Sequence, residues 1–179
     1  MMHMKLSIAG GAAALVFVLL AETSNAAENG VETGQAVYKR ANCVGCHKWH
    51  GDGGGGYGGA ALSLRKTELD KLQIMETVRC GRPGTGMPYF SRDSYPQNGE
   101  PQCYGLSSQD LEGMHVAQAS VFLRPEEIDA VAEYVLSSVR GKGDPNLADC
   151  TAFFGEESKA CDVYKGGGHH ALPTPATIQ

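Results

Sequence analysis

Ala41-Asn42-Cys43-Val44-Gly45-Cys46-His47 is the stretch on which the reading of this chain turns. Two thiols separated by two residues and followed at once by an imidazole form the attachment signature of a covalent haem. The spacing has a chemical reason. Cys43 and Cys46 add across the two haem vinyl groups as thioethers, and His47, next in the chain, swings under the porphyrin to ligate iron from the proximal side. Three blander readings compete: a zinc half-site, a redox dithiol and a disulfide pair. Zinc needs another close Cys/His pair, and a redox dithiol belongs in a βαβ context; the sequence offers neither. An export segment upstream, a candidate second ligand downstream and the single occurrence of the pattern favour haem.

Working outward from the motif, 179 residues suit one domain with appendages. A formal net charge of −5 and a pI near 5.6 argue against nucleic acid, which requires a basic face. They are compatible with docking onto a basic protein surface. Upstream, His3 and Lys5 precede an apolar run from Ile8 to Leu20, and Ser24-Asn25-Ala26 places small residues before a cut. Residues 1–26 therefore read as a signal peptide cleaved after Ala26, with Ala27 as the near alternative and an uncleaved anchor as the rival. No later stretch is apolar enough to span a membrane. The expected location is the periplasm.

The cysteines agree with export. Beyond Cys43 and Cys46, the chain has Cys80, Cys103, Cys150 and Cys161, an even number in an oxidising compartment. Three pairings are open. Cys80–Cys103 and Cys150–Cys161 are preferred because each brackets a segment resembling an insertion or a tail; a loop of this size stabilises by about 3 kcal/mol in the chain-entropy model.

Along the chain, Val31 to Ala41 reads as a helix with Gly34, Val37, Tyr38 and Ala41 on one face, and Gly34 suggests close approach of another helix. The Gly-rich run from Gly53 to Gly59, interrupted only by Tyr57, reads as a loop around the haem edge. Trp49 and Tyr57 either pack on the haem or face solvent; His50 lies too close to His47 to reach the opposite face of the iron. Thr67 is the predicted N-cap of a helix to Cys80, with Leu69, Leu72, Ile74 or Met75, and Val78 as its buried stripe. A second, modest helix is predicted over Ser108 to Ala119. The strongest helix opens at Pro125-Glu126-Glu127 and runs to about Val139, with Ile128, Val131, Ala132, Val135 and Leu136 inward. Residues 144–179 read as an extension, closed by Cys150–Cys161 and then disordered; His169 and His170 on it are read as incidental.

An electron-carrying haem needs a ligand opposite His47, commonly a methionine thioether, which stabilises ferrous iron. Met75, Met87, Met114 and His115 are the candidates. Met75 falls in a helical apolar pattern that suits core packing. Met114 and His115 sit in the less regular segment. Met87 leaves Gly84-Thr85-Gly86 for Pro88-Tyr89-Phe90, an extended loop that can present sulfur without competing for helix geometry, and is preferred.

The ordered set, Gly34 and Tyr38, Cys43/Cys46/His47, the Gly-rich loop, a helix, Gly86-Met87-Pro88 with Phe90, and a final helix from Leu123 through Pro125, Glu126 and Glu127, resembles class I c-type cytochromes over roughly Gly30 to Val139. The resemblance implies a small all-α cytochrome c-like fold over 27–143, its first and last helices crossing near Gly34 and Tyr134. It also implies one covalently bound haem c with His47 and Met87 as axial ligands. Two features depart from the family. About thirty residues (91–122) intervene between the Met-Pro loop and the last helix. The proline whose carbonyl usually orients the proximal histidine is absent from Gly58-Gly59-Ala60-Ala61-Leu62.

The function these readings support is a periplasmic electron-transfer cytochrome rather than an enzyme, with redox proteins such as a periplasmic dehydrogenase as partners. The insertion and tail would then offer the docking surface. The alternative is a haem enzyme or small-molecule sensor with an open or displaceable sixth position, for which His50 or His115 would be the distal acid/base.

Overall fold

The computed structural model describes residues 30–54, 61–114 and 116–165, and among them the structure is helical with isolated bridges and no strand. Helix α1 occupies residues 30–40; a single turn, α2, covers Cys43–His47. A short 3₁₀ turn over Leu64–Lys66 leads to α3, Lys71–Cys80. Helix α4, Pro125–Tyr134, continues through a π-helical turn, Val135–Val139. Helix α5, Leu147–Phe154, and a 3₁₀ turn, Lys159–Tyr164, close the described chain. The predicted signal peptide, Tyr57, His115 and the His169–His170 pair lie outside the described residues.

The centre of the fold is the crossing of α1 and α4. A Cβ on Gly34 would stand 2.1 Å from the Ala130 carbonyl oxygen and 2.7 Å from Tyr134 Cβ, so only glycine lets the two backbones meet. Around that contact Val37, Tyr38, Ala41, Ile128, Val131 and Tyr134 bury one continuous core. The Tyr38 and Tyr134 rings stack obliquely at 5.5 Å. At the edge, Arg40 Nη2 meets Glu127 Oε1 at 2.6 Å while Glu127 Oε2 accepts from the Arg124 N–H at 2.9 Å, so one carboxylate closes the start of α4 and ties it to α1. Lys71 reaches Asp129 at 2.9 Å and Glu133 at 3.4 Å, joining α3 to α4.

Three local expectations are corrected. Asp70, not Thr67, caps α3: its carboxylate accepts from the Gln73 N–H, and the Gln73 side chain accepts from the Asp70 N–H. A reciprocal capping box outcompetes a lone hydroxyl, and Thr67 Oγ1 instead accepts from the Leu69 N–H. Leu72 is 75% exposed, on the face of α3 away from buried Ile74, while Leu69, Met75 and Val78 pack against the core. Residues 108–114 form turns, and 116–119 are extended around a single bridge, rather than a helix. Asp110 there accepts from the Ser107 N–H and hydroxyl, giving the backbone a local alternative to helix bonds. Gln118 instead bridges Tyr89 in parallel register.

Both preferred disulfides are present, Cys80–Cys103 and Cys150–Cys161, with all four residues fully buried. The first belongs to a seal over the end of α3, whose last carbonyls have no helical partner. Ser94 donates to the Arg79 carbonyl, Tyr95 to that of Cys80 and Tyr104 to that of Gly81, at 2.7, 2.7 and 2.8 Å. Segment 91–122 thus serves as the C-terminal cap of α3.

Candidate haem site

Helix α1 delivers the chain into the site through Asn42, whose left-handed backbone (φ 58°) a short amide side chain tolerates and which sets up the turn of α2. That turn puts Cys43, Cys46 and His47 on successive positions of one short helix. Cys43 and Cys46 stand outside the disulfides, unlike the other four cysteines. Cys43 packs against the main core, and burial pushes its thiol up to about 12, so it is protonated in the unmodified chain.

His47 is fixed from behind. Its Nδ1 lies 3.1 Å from the carbonyl oxygen of Leu62, fifteen residues on. Burial holds the imidazole below its ordinary range; the Leu62 carbonyl opposes that shift and the Arg82 charge adds to it. A neutral ring donating from Nδ1 leaves the Nε2 lone pair for a metal, and the second-shell acceptor fixes both tautomer and ring plane. The Leu62 carbonyl thus takes the place of the missing proline carbonyl. It is held there by a backbone clasp: the Gly54 N–H donates to Ala61 O at 2.9 Å, Leu64 N–H to Gly51 O at 2.7 Å, and Gly53 N–H to His47 O at 3.1 Å. Gly53, at φ 68°, admits the clasp because a Cβ would stand 2.2 Å from the Ala61 oxygen.

Met87 rides a closed turn that starts where α3 ends. The Arg82 N–H donates to Met87 O at 3.1 Å, the Thr85 N–H and hydroxyl both bond the Arg82 carbonyl, and Met87 N–H donates to Thr85 Oγ1 at 3.2 Å. Met87 is half-buried. Of its rivals, Met75 packs into the core as a spacer and Met114 is 39% exposed on the turn-rich segment.

The other residues singled out in sequence take different work. Trp49, partly buried, packs on α5 and the closing 3₁₀ turn, with ring centroids 5.9 Å from Phe153, 5.7 Å from Phe154 and 6.0 Å from Tyr164. His50 lends its carbonyl to Arg65 Nη1 at 2.8 Å. Among the described residues no group of three His, Cys, Asp or Glu side chains gathers, so the zinc reading lacks its second pair of donors. The donor chemistry instead fits haem: paired thiols one turn apart, a neutral imidazole with its far nitrogen committed, and a thioether on a pinned loop.

The sequence model of the family described as Cytochrome c matches residues 31–139, more than half of the chain. The chain belongs to the cytochrome c family. Membership brings haem c, covalently attached and carrying iron, and a role in electron transfer. The crossing of α1 and α4 at Gly34 and Tyr134 is the one the resemblance implied. No curated protein and no solved structure matches the chain. No helix among the described residues of this cytochrome is long and apolar enough to cross a membrane.

Two contributors to the site escape sequence reasoning. Leu62 acts through its backbone, so its side chain carries no mark; only its distance past the histidine could have pointed to it. Arg82 opens the turn that carries Met87, and its place just after α3 could have pointed to it.

Proposed function

We propose that this cytochrome is a periplasmic, single-haem electron carrier, with Cys43 and Cys46 as the thioether residues and His47 and Met87 as the axial ligands. The reading is supported by the His47–Leu62 bond, which commits Nδ1 and leaves Nε2 as the donor, together with the hydrogen-bonded turn from Arg82 that carries Met87. The bound iron supplies a one-electron couple. The chain's part is to hold the imidazole in one tautomer and to keep the thioether on a short, hydrogen-bonded turn, so that neither ligand moves much between oxidation states.

The test is spectroscopic. The exported protein should show a low-spin spectrum with the ferric charge-transfer band of methionine ligation, unmoved by carbon monoxide. Met87→Ala should lose that band and bind carbon monoxide readily. A variant that kept the methionine-type spectrum would refute Met87, and ready carbon monoxide binding by the parent would turn the reading toward an enzyme or sensor with an open position.

Export rests on residues 1–26, and the amino terminus of the mature protein should be Ala27. Segment 91–122 and the extension from residue 144 exceed what a minimal carrier needs, and form in this reading a docking surface for a dedicated partner such as a periplasmic dehydrogenase. Purification of monomer alone, with equal electron exchange toward unrelated redox proteins, would remove that assignment.

A further inference from the structure

The peptide that follows the proximal histidine is strained and is held from an unexpected direction. Lys48 has φ 61° and ψ 166°, a combination that side-chain-bearing residues rarely adopt. Its carbonyl accepts a 2.9 Å hydrogen bond from the Tyr38 hydroxyl, and its N–H donates to Val44 O at 2.9 Å. Tyr38 is 1% exposed, and burial raises its ionisation well above the ordinary range, so it remains a hydroxyl donor at every working pH. The ring of Tyr38 is in turn pressed by Phe153 of α5, edge-on at 6.5 Å, and Phe153 also touches Trp49, two residues past His47.

The extension is fastened to α1 through Phe153 and its neighbours. Lys39 Nζ donates to the Phe153 carbonyl and sits 4.4 Å over the Phe153 ring, Gln35 Nε2 reaches the Ala152 carbonyl at 3.4 Å, and Asn146 caps α5 by accepting from the Asp149 N–H. The Cys150–Cys161 disulfide closes the segment on itself.

We propose that Tyr38 and Phe153 are positioning residues for the proximal ligand: the C-terminal extension braces Tyr38, Tyr38 holds the Lys48 carbonyl, and the strained Lys48 peptide fixes the backbone from which His47 projects. This rests on the assignment of His47 as an iron ligand. The extension is then an internal strut on the iron's proximal side as well as outer surface. Removing the Tyr38 hydroxyl lets the Lys48 peptide relax toward an ordinary conformation and carries the imidazole with it. Replacing Lys48 by glycine, which adopts φ 61° without steric penalty, removes the tendency to relax and uncouples His47 from Tyr38.

The experiment uses the holoprotein and reads the paramagnetically shifted ring protons of His47 in the ferric state, alongside the reduction midpoint and the thermal midpoint. Tyr38→Phe should move the His47 ring shifts and the reduction midpoint, and Phe153→Ala should move them in the same direction. Adding Lys48→Gly to Tyr38→Phe should return at least half of both changes, a coupling that two independent packing losses would not show. Ring shifts that superimpose on the parent while the thermal midpoint falls would overturn the proposal, leaving Tyr38 a core residue only. Absence of rescue by Lys48→Gly would overturn it as well. A parent spectrum without the shifted resonances of a ligating imidazole would fail differently, removing the ligand assignment itself.

Discussion

Segment 91–122 and the C-terminal extension each carry a buried disulfide, yet different contacts dominate their attachment to the body. The segment is attached through hydrogen bonds to backbone: three hydroxyls seal the end of α3, and Tyr89, Phe90 and Leu123 exchange main-chain bonds with Ala117, Ala119, Val78 and Arg79. The extension is attached chiefly through rings, with Phe153 buried among Tyr38, Trp49 and the Lys39 ammonium, beside two bonds from Lys39 and Gln35 to its carbonyls. Polar attachment is directional but contributes modestly per bond, since each replaces a bond to water. Ring burial is less directional and contributes more per residue. The extension should therefore depend on one side chain, and the segment on many.

Substituting that side chain gives the largest expected effect. Phe153→Ala should lower the stability of the holoprotein by roughly 3–5 kcal/mol, the usual range for a buried phenylalanine, as read by denaturant midpoints. A loss well below that would mean α5 can collapse onto Tyr38 without the ring, and the contrast between the two attachments would fail. Next comes the disulfide of the segment. Cys80 and Cys103 are 23 residues apart and fully buried, so replacing both by alanine should cost about 3 kcal/mol in the chain-entropy picture. The loss should be accompanied by faster hydrogen exchange at 91–106 than at the α1–α4 crossing. Equal acceleration in both places would show that the segment is part of the core rather than a seal upon it.

The same contrast explains what sequence could reveal. The extension's pairing of Cys150 with Cys161 and the core face of α4 were legible because they are side-chain patterns with fixed chemistry or period. The haem motif was legible for the same reason, and so was the close approach at Gly34. What escaped was work done by backbone or by register. Thr67 looked like a cap, but the reciprocal Asp70–Gln73 box starts α3 three residues later, and Leu72 faces solvent. Residues 108–119 carried enough helical spacing to suggest a helix, but Asp110 gave their backbone a turn to prefer. The orienting carbonyl could be narrowed only to Gly58–Leu62, because an oxygen common to every residue does not single out one letter.

Two smaller tests sharpen the view of the segment as a seal. Ser94 is fully buried and its hydroxyl donates to the Arg79 carbonyl at 2.7 Å. Ser94→Ala should cost about 1 kcal/mol, the usual worth of one such bond, and should fray α3 from its C-terminal end. A helix end as well protected from exchange as in the parent would mean that Tyr95 and Tyr104 suffice. The smallest effect is a pH dependence. Asp110 is held below the usual carboxylate range chiefly by the Ser107 hydroxyl and N–H. Because its folded value is lowered, its contribution is complete above the unfolded carboxylate value and is lost as pH falls through the folded one. Acid should therefore speed exchange of the Ser107 amide before it affects the α1–α4 crossing, and Asp110→Ala should make that amide fast at every pH. A Ser107 amide indifferent to both acid and the substitution would show that the turn is set by backbone alone. The segment's attachment would then owe less to its polar side chains than the seal over α3 suggests.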